Sequence, residues 1–275
     1  MKFNVSIVLY KTNIEEINRS IAFYESSGAN KIYLVDNDKD SNYGYDVFSN
    51  VEYIKPGSNL GYGAGHNIAI KQSINDEADL HLVANTDIEM SFSSLKKILD
   101  ICEQDSAVGL AGPKIVNRNN ETQFAAKLVP SPLDLLIRLL FGQHIHMKIR
   151  PSFYLENMDR SQCNSLLCPY ISGCFMLLRV ATLKEVGAFD ERFFMYPEDL
   201  DISRRIAISQ NWKSVFVTDI HLFHQHNAES KRSLKMLYIH IINMIKYFNK
   251  WGWIVDIERK VLNQEAARKS AHEKH

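Results

Sequence analysis

The sequence has few cysteines and no long apolar run, and these absences exclude several classes of protein. Four cysteines occur among 275 residues and none forms a CxxC pair, which argues against a disulfide framework or a zinc site. No apolar run approaches the ~20 residues of a membrane-spanning helix, and no signal-peptide pattern precedes FNVSIVLY. We therefore predict a cytoplasmic protein with reduced thiols at Cys102, Cys163, Cys168 and Cys174.

An excess of charge of either sign is also missing. Lysine plus arginine equals aspartate plus glutamate at 32 each, so the chain lacks the overall basic field that nucleic-acid-binding proteins use. Hydrophobic residues make up 45% of the chain and charged residues 23%, and a chain of this length can bury a large core. These values predict a globular protein that does not bind nucleic acid.

The first half of the chain alternates between strand and helix patterns. This alternation is typical of an α/β fold in which helices cover both faces of a parallel sheet. Ligands of such sheets bind beyond the carboxyl ends of the strands, so the residues that follow the strands could converge on one crevice. The predicted strands are residues 3–10, 31–35, 51–54 and 80–84, and the predicted helices are residues 14–26 and 64–74.

The second half continues with strands and helices and includes a less regular region. The predicted elements are a helix at 91–102, strands at 108–116 and 173–178, a helix from 199 to about 209, strands around Val215 and Leu222, and a helix at 234–251. In the irregular region 118–170, Pro130 and Pro132 precede an apolar stretch, and the chain then becomes basic through Arg138, Lys148 and Arg150. Two interpretations stay open: an amphipathic segment that faces lipid, or a helix packed on the core with a solvated basic edge.

The segment FDERFFMYPEDLD, residues 189–201, places three carboxylates at a helix start behind aromatic side chains. Pro197 is predicted at the first helical position, where its missing N–H is not needed. Glu198, Asp199 and Asp201 then fall in the first turn. Interaction with the helix dipole would explain acidic residues there without any catalysis.

Helical direction separates two of these carboxylates. At about 100° per residue, Asp201 lies beside Arg205, its i+4 partner, and is predicted to have a structural role. Asp199 lies instead near the angles of Ile202 and Ile206 and is predicted to face inward. Because an isolated buried charge is costly, an inward carboxylate indicates a catalytic base. We therefore favour catalysis over capping for Asp199.

Two motifs near strand ends suit a nucleotide. Asp36 ends a strand in LVDN and could accept the imide N–H of uracil or thymine, although guanine carries such a donor too. The alternative is an aspartate that starts the turn DNDKD, and a calcium loop there is weaker because the EF-hand glycine and glutamate are misplaced. The loop PGSNLGYGAGHN, residues 56–67, lets the backbone approach a diphosphate or sugar. Its glycines match neither the GxGxxG fingerprint nor a Walker loop.

The motif NTD, residues 85–87, follows the fourth predicted strand. Its carboxylate suits Mg²⁺ or Mn²⁺ shared with the phosphate oxygens of a departing nucleoside diphosphate. An Asx turn that caps the next helix is the alternative. His224 is a candidate further ligand, and a mixed carboxylate and imidazole set favours Mn²⁺. Strand alternation places His224 and His226 on one face and His221 on the other.

Taken in order, the motifs closely resemble family-2 glycosyltransferases of the GT-A fold, and in particular the bacterial rhamnosyltransferase-like enzymes of O-antigen and capsule assembly. The resemblance implies a Rossmann-like, mostly parallel sheet that binds a nucleoside-diphospho sugar, with helices on both faces and a C-terminal helical segment. It runs from about residue 3 to residue 253 and rests on SIVLY, VDN, NLGYGAGHN, NTD, SGCFMLLR, GAFDERFFMYPEDLD, a histidine followed by Ser230, and KYFNKWGW.

The resemblance also implies roles for individual residues. Asp199 would be the base, with Glu198 beside it. Asp87 would bind the metal, Mn²⁺ or Mg²⁺, together with the diphosphate, and His224 would complete the metal site. The donor side would comprise Tyr10, Asp36 as the pyrimidine-recognising residue, Asn59, Gly61, Asn67, Asn85 and Asp87, and the acceptor side Gly173 and Cys174.

One motif departs from the family pattern. Many relatives have DxD, or NPD in the rhamnosyl branch, where this chain has NTD. The missing carboxylate implies that metal binding depends on the donor diphosphate, and threonine in place of proline weakens the case for rhamnose. The predicted division is a GT-A domain at 1–230, with a nucleotide-sugar-binding half at 1–116 and an acceptor and catalytic half at 117–230, and a helical extension at 231–275.

The predicted function is inverting transfer of a sugar, with L-rhamnose from dTDP-rhamnose favoured, to a lipid-linked saccharide at the cytoplasmic membrane face. Peripheral membrane association and a homodimer are compatible with this interpretation. One alternative is another UDP- or dTDP-hexose transferase of the same fold. A nucleotidyltransferase is disfavoured because SIVLYKTN has no glycine, and a catalytically silent glycan-binding assembly partner is disfavoured because EDLD and the histidine are retained.

Overall fold

A computed structural model of the chain describes residues 1–41, 43–45, 50–157, 164–224 and 234–272. The strands are β1 (Phe3–Leu9), β2 (Lys31–Asp36), β3 (Val51–Ile54), β4 (Leu80–Ala84), β5 (Ile88–Glu89), β6 (Val108–Val116), β7 (Ala126–Lys127), β8 (Ser165–Leu167), β9 (Tyr170–Ile171), β10 (Phe175–Arg179) and β11 (Lys213–His224). The α-helices are α1 (Ile14–Ser26), α2 (Tyr62–Asn75), α3 (Phe92–Gln104), α4 (Pro132–Ile149), α5 (Val180–Val186), α6 (Glu198–Ile208), α7 (Leu234–Trp251) and α8 (Ile257–His272).

Nine strands of the described ranges form one sheet in the order β3-β2-β1-β4-β10-β6-β11-β5, with β8 paired to β11. The pairs among β1, β2, β3 and β4 are parallel. β10 is antiparallel to β4 and β6, and β11 is parallel to β6. Six strands, β1 to β4, β6 and β11, therefore run in one direction. The prediction of a mostly parallel α/β sheet is confirmed.

Helices cover both faces of the sheet, and the side chains of β4 contribute to the hydrophobic cores on both faces. Leu82 and Ala84 belong to the core beneath α1 and α3, whereas Val83 between them belongs to the core beneath α2 and α6. Successive side chains of a strand point to opposite faces. All five residues of β4 are buried, as expected for a strand covered on both sides.

A buried polar network ties α2 to the sheet. The hydroxyl of Ser6 in β1 lies 2.7 Å from Nδ1 of His66 in α2 and 2.8 Å from Nε2 of His81 in β4. The hydroxyl of Ser73 lies 2.7 Å from Nδ1 of His81. Burial lowers the pKa of both histidines, so both rings are neutral. The network sets the position of α2 and of the glycine-rich loop that leads into it.

The C-terminal helices pack back on α6. Indole Nε1 of Trp251, at the end of α7, donates a 2.8 Å hydrogen bond to Oδ1 of Asp201. The fully buried Arg204 donates to Oδ2 of Asp256 at 2.8 Å. Since these contacts bury charge in a shared core, residues 234–266 act as part of the structure around α6. The predicted division into 1–230 and 231–275 stays a prediction.

Most predicted elements agree with the structure to within a few residues, and two expectations were wrong. Val215 and Leu222, predicted in separate strands, lie in the single strand β11, which shifts register between Val217 and His221. Pro197 precedes α6 instead of opening it, because its φ of −106° and ψ of 52° are not helical. Within the described ranges, no helix combines the length and apolarity that a membrane crossing requires.

Candidate active site

Four strands end at one edge of the sheet and bring predicted site residues there. β1, β2, β4 and β11 run in the same direction, so their carboxyl ends share this edge. Asp36 is the last residue of β2 and His224 the last of β11, while Asp87 follows β4 by three residues. The crevice predicted from the strand ends therefore has its residues at one edge.

Asp199 lies at the start of α6 and faces the loop before β10. The amide N–H of Gly173 donates to its Oδ2 at 2.9 Å, and the hydroxyl of Tyr170 lies 3.5 Å from the same oxygen. Burial raises the pKa of Asp199, while the charge of Lys127 and the Gly173 amide act in the opposite direction. The expected inward direction of Asp199 is confirmed.

Glu198 is more deeply buried than Asp199 and has a different environment. Its side chain is 4% exposed, and Oε2 finds no hydrogen-bond partner among the described residues. Burial and the nearby charge of Asp199 raise the pKa of Glu198 to about 8. Because Asp199 has the amide donor and Lys127 beside it, Asp199 is the ionised member of the pair and Glu198 holds the proton at neutral pH.

Lys127 is a residue that sequence reasoning missed. It lies in β7 opposite Tyr170 of β9, and its Nζ is 4.9 Å from the centre of the Tyr170 ring. Burial lowers its pKa, and the carboxylates of Asp199 and Glu156 act to raise it. A lone lysine in a two-residue strand has no sequence signal, since only the pairing of β7 with β9 places it beside Tyr170.

Asp201 has the structural role that its i+4 spacing predicts. Its carboxylate is fully buried and accepts from Nε of Arg205 at 2.8 Å. Nζ of Lys250 and Nε1 of Trp251 lie 2.6 Å and 2.8 Å from Oδ1. Two cations and an indole satisfy this carboxylate, so it holds α6 against α7 and points away from the base.

Tyr62 joins the donor and acceptor sides and was also missed. Its hydroxyl donates to the carbonyl oxygen of Gly173 at 2.7 Å and lies 2.9 Å from Oδ1 of Asn85. The amide N–H of Asn85 donates to the carbonyl oxygen of Cys174 at 3.0 Å. The end of β4 is thereby fixed against the loop before β10. Burial raises the pKa of the Cys174 thiol to about 12, so this thiol is neutral.

The glycines of the loop 56–67 allow close approaches within the protein itself. Gly61 has a φ of 89°, and a Cβ there would lie 2.1 Å from the carbonyl oxygen of Phe194. A Cβ at Gly63 would lie 2.9 Å from Cβ of Phe189. The sequence-based interpretation that these glycines admit a ligand is thus corrected at Gly63, which packs against the chain before α6. A donor contact at Gly61 stays a prediction.

Two asparagines of this region make local contacts. Oδ1 of Asn59 accepts from the amide of Gly61 at 3.0 Å. Asn67 accepts from the amide of Phe189 and donates to its carbonyl oxygen, each at 2.9 Å. Nδ2 of Asn67 also donates to Glu191 at 3.0 Å. Asn67 therefore fixes the segment that leads to α6, and its contact with a donor stays a prediction.

Asp36 is fully buried and its carboxylate is already engaged. Oδ1 accepts from the amide of Asp38 at 2.9 Å, and Oδ2 accepts from the hydroxyls of Ser41 and Tyr53. The turn interpretation of DNDKD is therefore correct in geometry, and recognition of a pyrimidine by Asp36 stays a prediction. Tyr10, just beyond β1, is 52% exposed.

Asp87 and His224 form a pair that is suited to a divalent cation. Nε2 of His224 lies 3.1 Å from Oδ1 of Asp87. Nε2 of Gln123 donates to the carbonyl oxygen of His224 at 2.8 Å. Oε1 of the same glutamine lies 2.9 Å from Nδ1 of His224, so it accepts a hydrogen bond from this ring nitrogen. Nε2 of the ring faces the Asp87 oxygen. Carboxylate oxygen and imidazole nitrogen are both ligands that Mn²⁺ accepts, so these two residues are candidates to hold a metal ion.

The protein supplies only part of a metal coordination shell. Among the described residues, no group of three or more histidine, cysteine, aspartate or glutamate side chains is arranged to hold an ion. Two ligands alone bind Mg²⁺ or Mn²⁺ weakly, and phosphate oxygens ordinarily complete such sites. The dependence of metal binding on the donor diphosphate, expected from NTD in place of DxD, stays a prediction.

Some predicted features lie outside the described residues. These are Cys163, His226 and Ser230. Cys102, Cys168 and Cys174 are buried free thiols, as predicted. His221, expected on the opposite side of β11 from His224, is exposed.

Two relatives of known activity match the chain in sequence, whereas no protein-family model matches it. The N-acetylglucosaminyl-diphospho-decaprenol L-rhamnosyltransferase of Mycobacterium tuberculosis is 29% identical over 191 residues, which cover 66% of this chain and 61% of the relative. The low-salt glycan biosynthesis hexosyltransferase Agl10 of Haloferax volcanii is 23% identical over 204 residues, covering 74% of this chain and 61% of the relative. The chain thus spans about three fifths of the length of these relatives.

Solved structures of glycosyltransferases share the fold. GalNAc-T7 with UDP, GalNAc and Mn²⁺ superposes with a TM-score of 0.62 at 12% identity, covering 83% of this chain and 44% of that protein. TarS 1-349 of S. aureus gives 0.56 at 16% identity, covering 97% and 71%. The mannosyltransferase PcManGT of Pyrobaculum calidifontis, in complex with GDP-Man and Mn²⁺, gives 0.56 at 13% identity, covering 89% and 64%.

These matches, together with the sheet order and the helices on both faces, agree with the motif resemblance. The structural neighbours establish the GT-A fold, and the curated relatives are glycosyltransferases, one of them a rhamnosyltransferase. The chain therefore has the GT-A fold and is similar in sequence to glycosyltransferases, one of which is a rhamnosyltransferase.

Proposed function

We propose that the chain is an inverting glycosyltransferase that moves L-rhamnose from dTDP-rhamnose to a hydroxyl of a lipid-linked saccharide in bacterial surface polysaccharide assembly. The carrying observation is the inward Asp199, held by the Gly173 amide at 2.9 Å beside the buried Glu198. A carboxylate placed in this way can accept a proton from an acceptor hydroxyl. The M. tuberculosis relative, named for a rhamnosyltransferase that acts on a diphospho-decaprenol acceptor, supports the choice of sugar and acceptor.

In this proposal Asp199 acts as the base in a single displacement. The acceptor hydroxyl attacks the anomeric carbon while Oδ2 of Asp199 takes its proton, and the bond to the nucleoside diphosphate breaks, so the anomeric configuration inverts. The Gly173 amide fixes the carboxylate. Lys127 favours its ionised form, and Glu198 keeps its own proton and adds no second negative charge.

Departure of the nucleoside diphosphate is assigned to the opposite side of the crevice. Asp87 and His224 would hold Mn²⁺ or Mg²⁺, which when bound would neutralise the charge that develops on the diphosphate. Gln123 keeps the proton of His224 on Nδ1, so that Nε2 is available as a ligand. The Mn²⁺ present in the GalNAc-T7 and PcManGT structures supports the choice of a divalent ion.

The remaining donor-side residues are proposed to hold the nucleotide sugar. Asp36 would contact the pyrimidine, for which one of its three internal hydrogen bonds has to be released or shared. The exposed Tyr10 lies near the same strand ends. Asn59, Gly61, Asn67 and Asn85 would shape the pocket. Gly173 and Cys174 would line the acceptor side, and a lipid-linked acceptor would place the protein at the cytoplasmic face of a membrane as a peripheral protein.

The decisive experiment measures release of nucleoside diphosphate from dTDP-rhamnose, UDP-hexoses and GDP-mannose, with polyprenyl-diphospho-N-acetylglucosamine as acceptor and with Mn²⁺ present. Release of dTDP together with a rhamnosylated lipid is expected, and NMR of that product gives the anomeric configuration. Turnover with a UDP-hexose alone would replace rhamnose by another hexose. Pyrophosphate release from a nucleoside triphosphate would indicate a nucleotidyltransferase, and no release with any donor would support a silent glycan-binding protein.

A further inference from the structure

The outer face of α4 exposes a large amount of apolar side chain. Seven large hydrophobic residues of this helix have between 42% and 63% of their surface exposed. Among the residues that the structure describes, no other segment covers them. They are Leu133, Leu136, Leu139, Leu140, Phe141, Ile145 and Ile149. An exposed apolar surface of this extent marks an interaction site more often than a solvated helix face.

These residues form an outer face because the opposite side of α4 packs inward. Leu135 contacts the core that includes Met244 of α7, and Met147 contacts the core beneath α6. Gly142, with a φ of 78°, interrupts the helix between the two contacts. Leu133, Leu136 and Leu140 are three or four positions apart, and so are Ile145 and Ile149 beyond the kink. Leu139, Leu140 and Phe141 are consecutive, so the exposed side before the kink is broad.

The outer face carries no negative charge. Asp134, the one carboxylate of α4, is 1% exposed and lies 2.9 Å from Nε2 of His146 and 2.7 Å from Nη1 of Arg150. Lys148 is exposed on the same helix. A face of this kind, apolar with an exposed lysine and no exposed carboxylate of α4, suits an anionic lipid surface.

The neighbouring helix α7 extends this surface and has the same character. The sequence of α7 contains no aspartate or glutamate, and its first turns expose Leu234, Leu237 and Tyr238 with Lys235. Tyrosine is enriched where protein meets the interface of a bilayer. Leu135 of α4 packs against the hydrophobic cluster that contains Met244 of α7, so the two helices lie close together.

The apolar face lies next to the acceptor side of the crevice. Leu135 of α4 and Tyr170 pack against the same hydrophobic cluster. The hydroxyl of Tyr170 lies 3.5 Å from Oδ2 of Asp199. A lipid surface in contact with α4 would therefore lie beside the edge of the site where the acceptor hydroxyl meets the base.

We propose that the outer face of α4, extended by the first turns of α7, docks on an anionic lipid bilayer and sets the height of Asp199 above the membrane. This proposal rests on the proposed function in one respect, namely that the acceptor is lipid-linked. Both earlier interpretations apply in part, because Leu135 and Met147 pack on the core and Lys148 is exposed, while the outer face is apolar.

The test is flotation of the full chain with vesicles, which does not require activity. The wild-type protein is expected to float with phosphatidylcholine vesicles that contain phosphatidylglycerol. Phe141→Glu and Leu140→Glu are expected to reduce the bound fraction at least about tenfold, since a charge replaces a side chain that would enter the lipid. Phe92→Glu is the matched control, because Phe92 is 54% exposed but lies on α3, against the other core.

Three outcomes would overturn the proposal. The first is that the wild-type protein does not float with the vesicles. The second is that the α4 variants and the Phe92 control float equally. The third is a dimer in solution that Phe141→Glu converts to a monomer, which would show that a second copy of the chain covers this face. Unchanged thermal unfolding of the variants excludes misfolding as the cause. Turnover of an acceptor with a short, water-soluble prenyl chain is expected to persist in Phe141→Glu. Failure of the wild-type protein in that assay would count against the proposed function and leave the flotation result unaffected.

Discussion

Nε2 of His224 lies 3.1 Å from Oδ1 of Asp87, although 137 positions separate the two residues in the chain (224 − 87). The last residue of β11 and the residue three positions beyond β4 meet because both strands end at the same edge of the sheet. Gln123 sets the tautomer of the histidine from a third segment. Each of the three contributes to one small electrostatic site, and each can be tested separately.

The first prediction concerns Gln123 and the metal. Gln123→Leu removes the acceptor for Nδ1–H of His224, so the ring loses its orientation and its preferred tautomer. We expect the concentration of Mn²⁺ needed to stabilise the complex with dTDP to rise about 10- to 100-fold. Thermal-shift titration of Mn²⁺ at fixed dTDP measures this change, and circular dichroism checks the fold.

Gln104→Leu is the control for this experiment, because Gln104 is exposed at the end of α3, away from the strand ends. An unchanged Mn²⁺ requirement in Gln123→Leu would remove Gln123 from the site. If Gln123→Leu weakened the effect of Mn²⁺ but His224→Ala did not, Gln123 would act through the fold and not through the metal site.

The second prediction separates Asp199 from binding. Asp199→Asn keeps the size of the side chain and its contact with the Gly173 amide but removes the base. Turnover should fall about 10²- to 10⁴-fold while the affinity for dTDP stays nearly the same. Steady-state kinetics and isothermal titration measure the two quantities. Turnover close to that of the wild-type protein would eliminate Asp199 as the base.

The third prediction concerns the pH dependence of turnover. Asp199 has to be ionised to act, so activity is lost as pH falls through its pKa. Burial raises this pKa and Lys127 opposes the rise. Lys127→Met should therefore move the acid limb of kcat/KM to higher pH, whereas Lys71→Met, an exposed lysine of α2, should leave it in place. If both variants gave the wild-type profile, the charge of Lys127 would have no effect on the base.

The fourth prediction concerns Glu198 and stability. Burial and the charge of Asp199 raise its pKa in the folded protein to about 8, from an ordinary value of 4.5. The folded state therefore holds this proton more tightly than the unfolded state does, so the contribution of Glu198 to stability is fully present below about pH 4.5 and is lost as pH rises towards 8. Glu198→Gln cannot lose a proton and should avoid this part of the decline.

Urea unfolding of both proteins at pH 5 and pH 9 measures the effect. The difference in unfolding free energy between variant and wild type should move in favour of the variant by a few kcal/mol, roughly, between the two pH values. Because only the change in this difference is compared, groups that titrate equally in both proteins cancel. A difference that does not vary with pH would place the Glu198 carboxyl in a better-solvated environment.

The fifth prediction contrasts Asp201 with Asp199. Asp201→Ala leaves Arg205, Lys250 and the indole of Trp251 without their shared acceptor. Removal of one partner from a buried charge network typically costs about 3 to 5 kcal/mol of folding free energy. Thermal and urea unfolding should show a large loss of stability, and activity per folded molecule should stay close to that of the wild type. A stable but inactive variant would give Asp201 a catalytic role.

Local patterns were sufficient for most of the secondary structure and for part of the site. The period-2 and period-3.6 patterns place β1, α1, β4 and α7 within a residue of their observed bounds, since buried faces impose these periods on the sequence. Helical angle alone was enough to distinguish Asp199 from Asp201. The prediction failed at Pro197, where the backbone before α6 is not helical, because the first residue of a helix depends on how the preceding chain enters it.

Other features depended on contacts between distant segments. Lys127 and Gln123 lie in no motif, and Tyr62 lies within NLGYGAGHN without having been assigned a role. Their contacts arise because β7 pairs with β9, because Gln123 lies beside the end of β11, and because α2 lies against the loop before β10. The glycine-rich loop was predicted to admit a ligand, and within the protein its Gly61 and Gly63 already lie close to Phe194 and Phe189. A pattern of glycines indicates that another group approaches the backbone closely, but it does not show whether that group is a ligand or another part of the protein.

By itself, the sequence determined the α/β class, the strand ends, the inward carboxylate of α6 and the resemblance to family-2 glycosyltransferases, because burial periodicity and short motifs are local properties. Only the tertiary structure decided which charges meet. Burial and proximity set the protonation of Glu198 and Asp199, and the pairing of strands places Lys127 beside Tyr170 and brings His224 to Asp87. Electrostatic effects depend on distance and on the exclusion of water, and both are set by the folding of the whole chain.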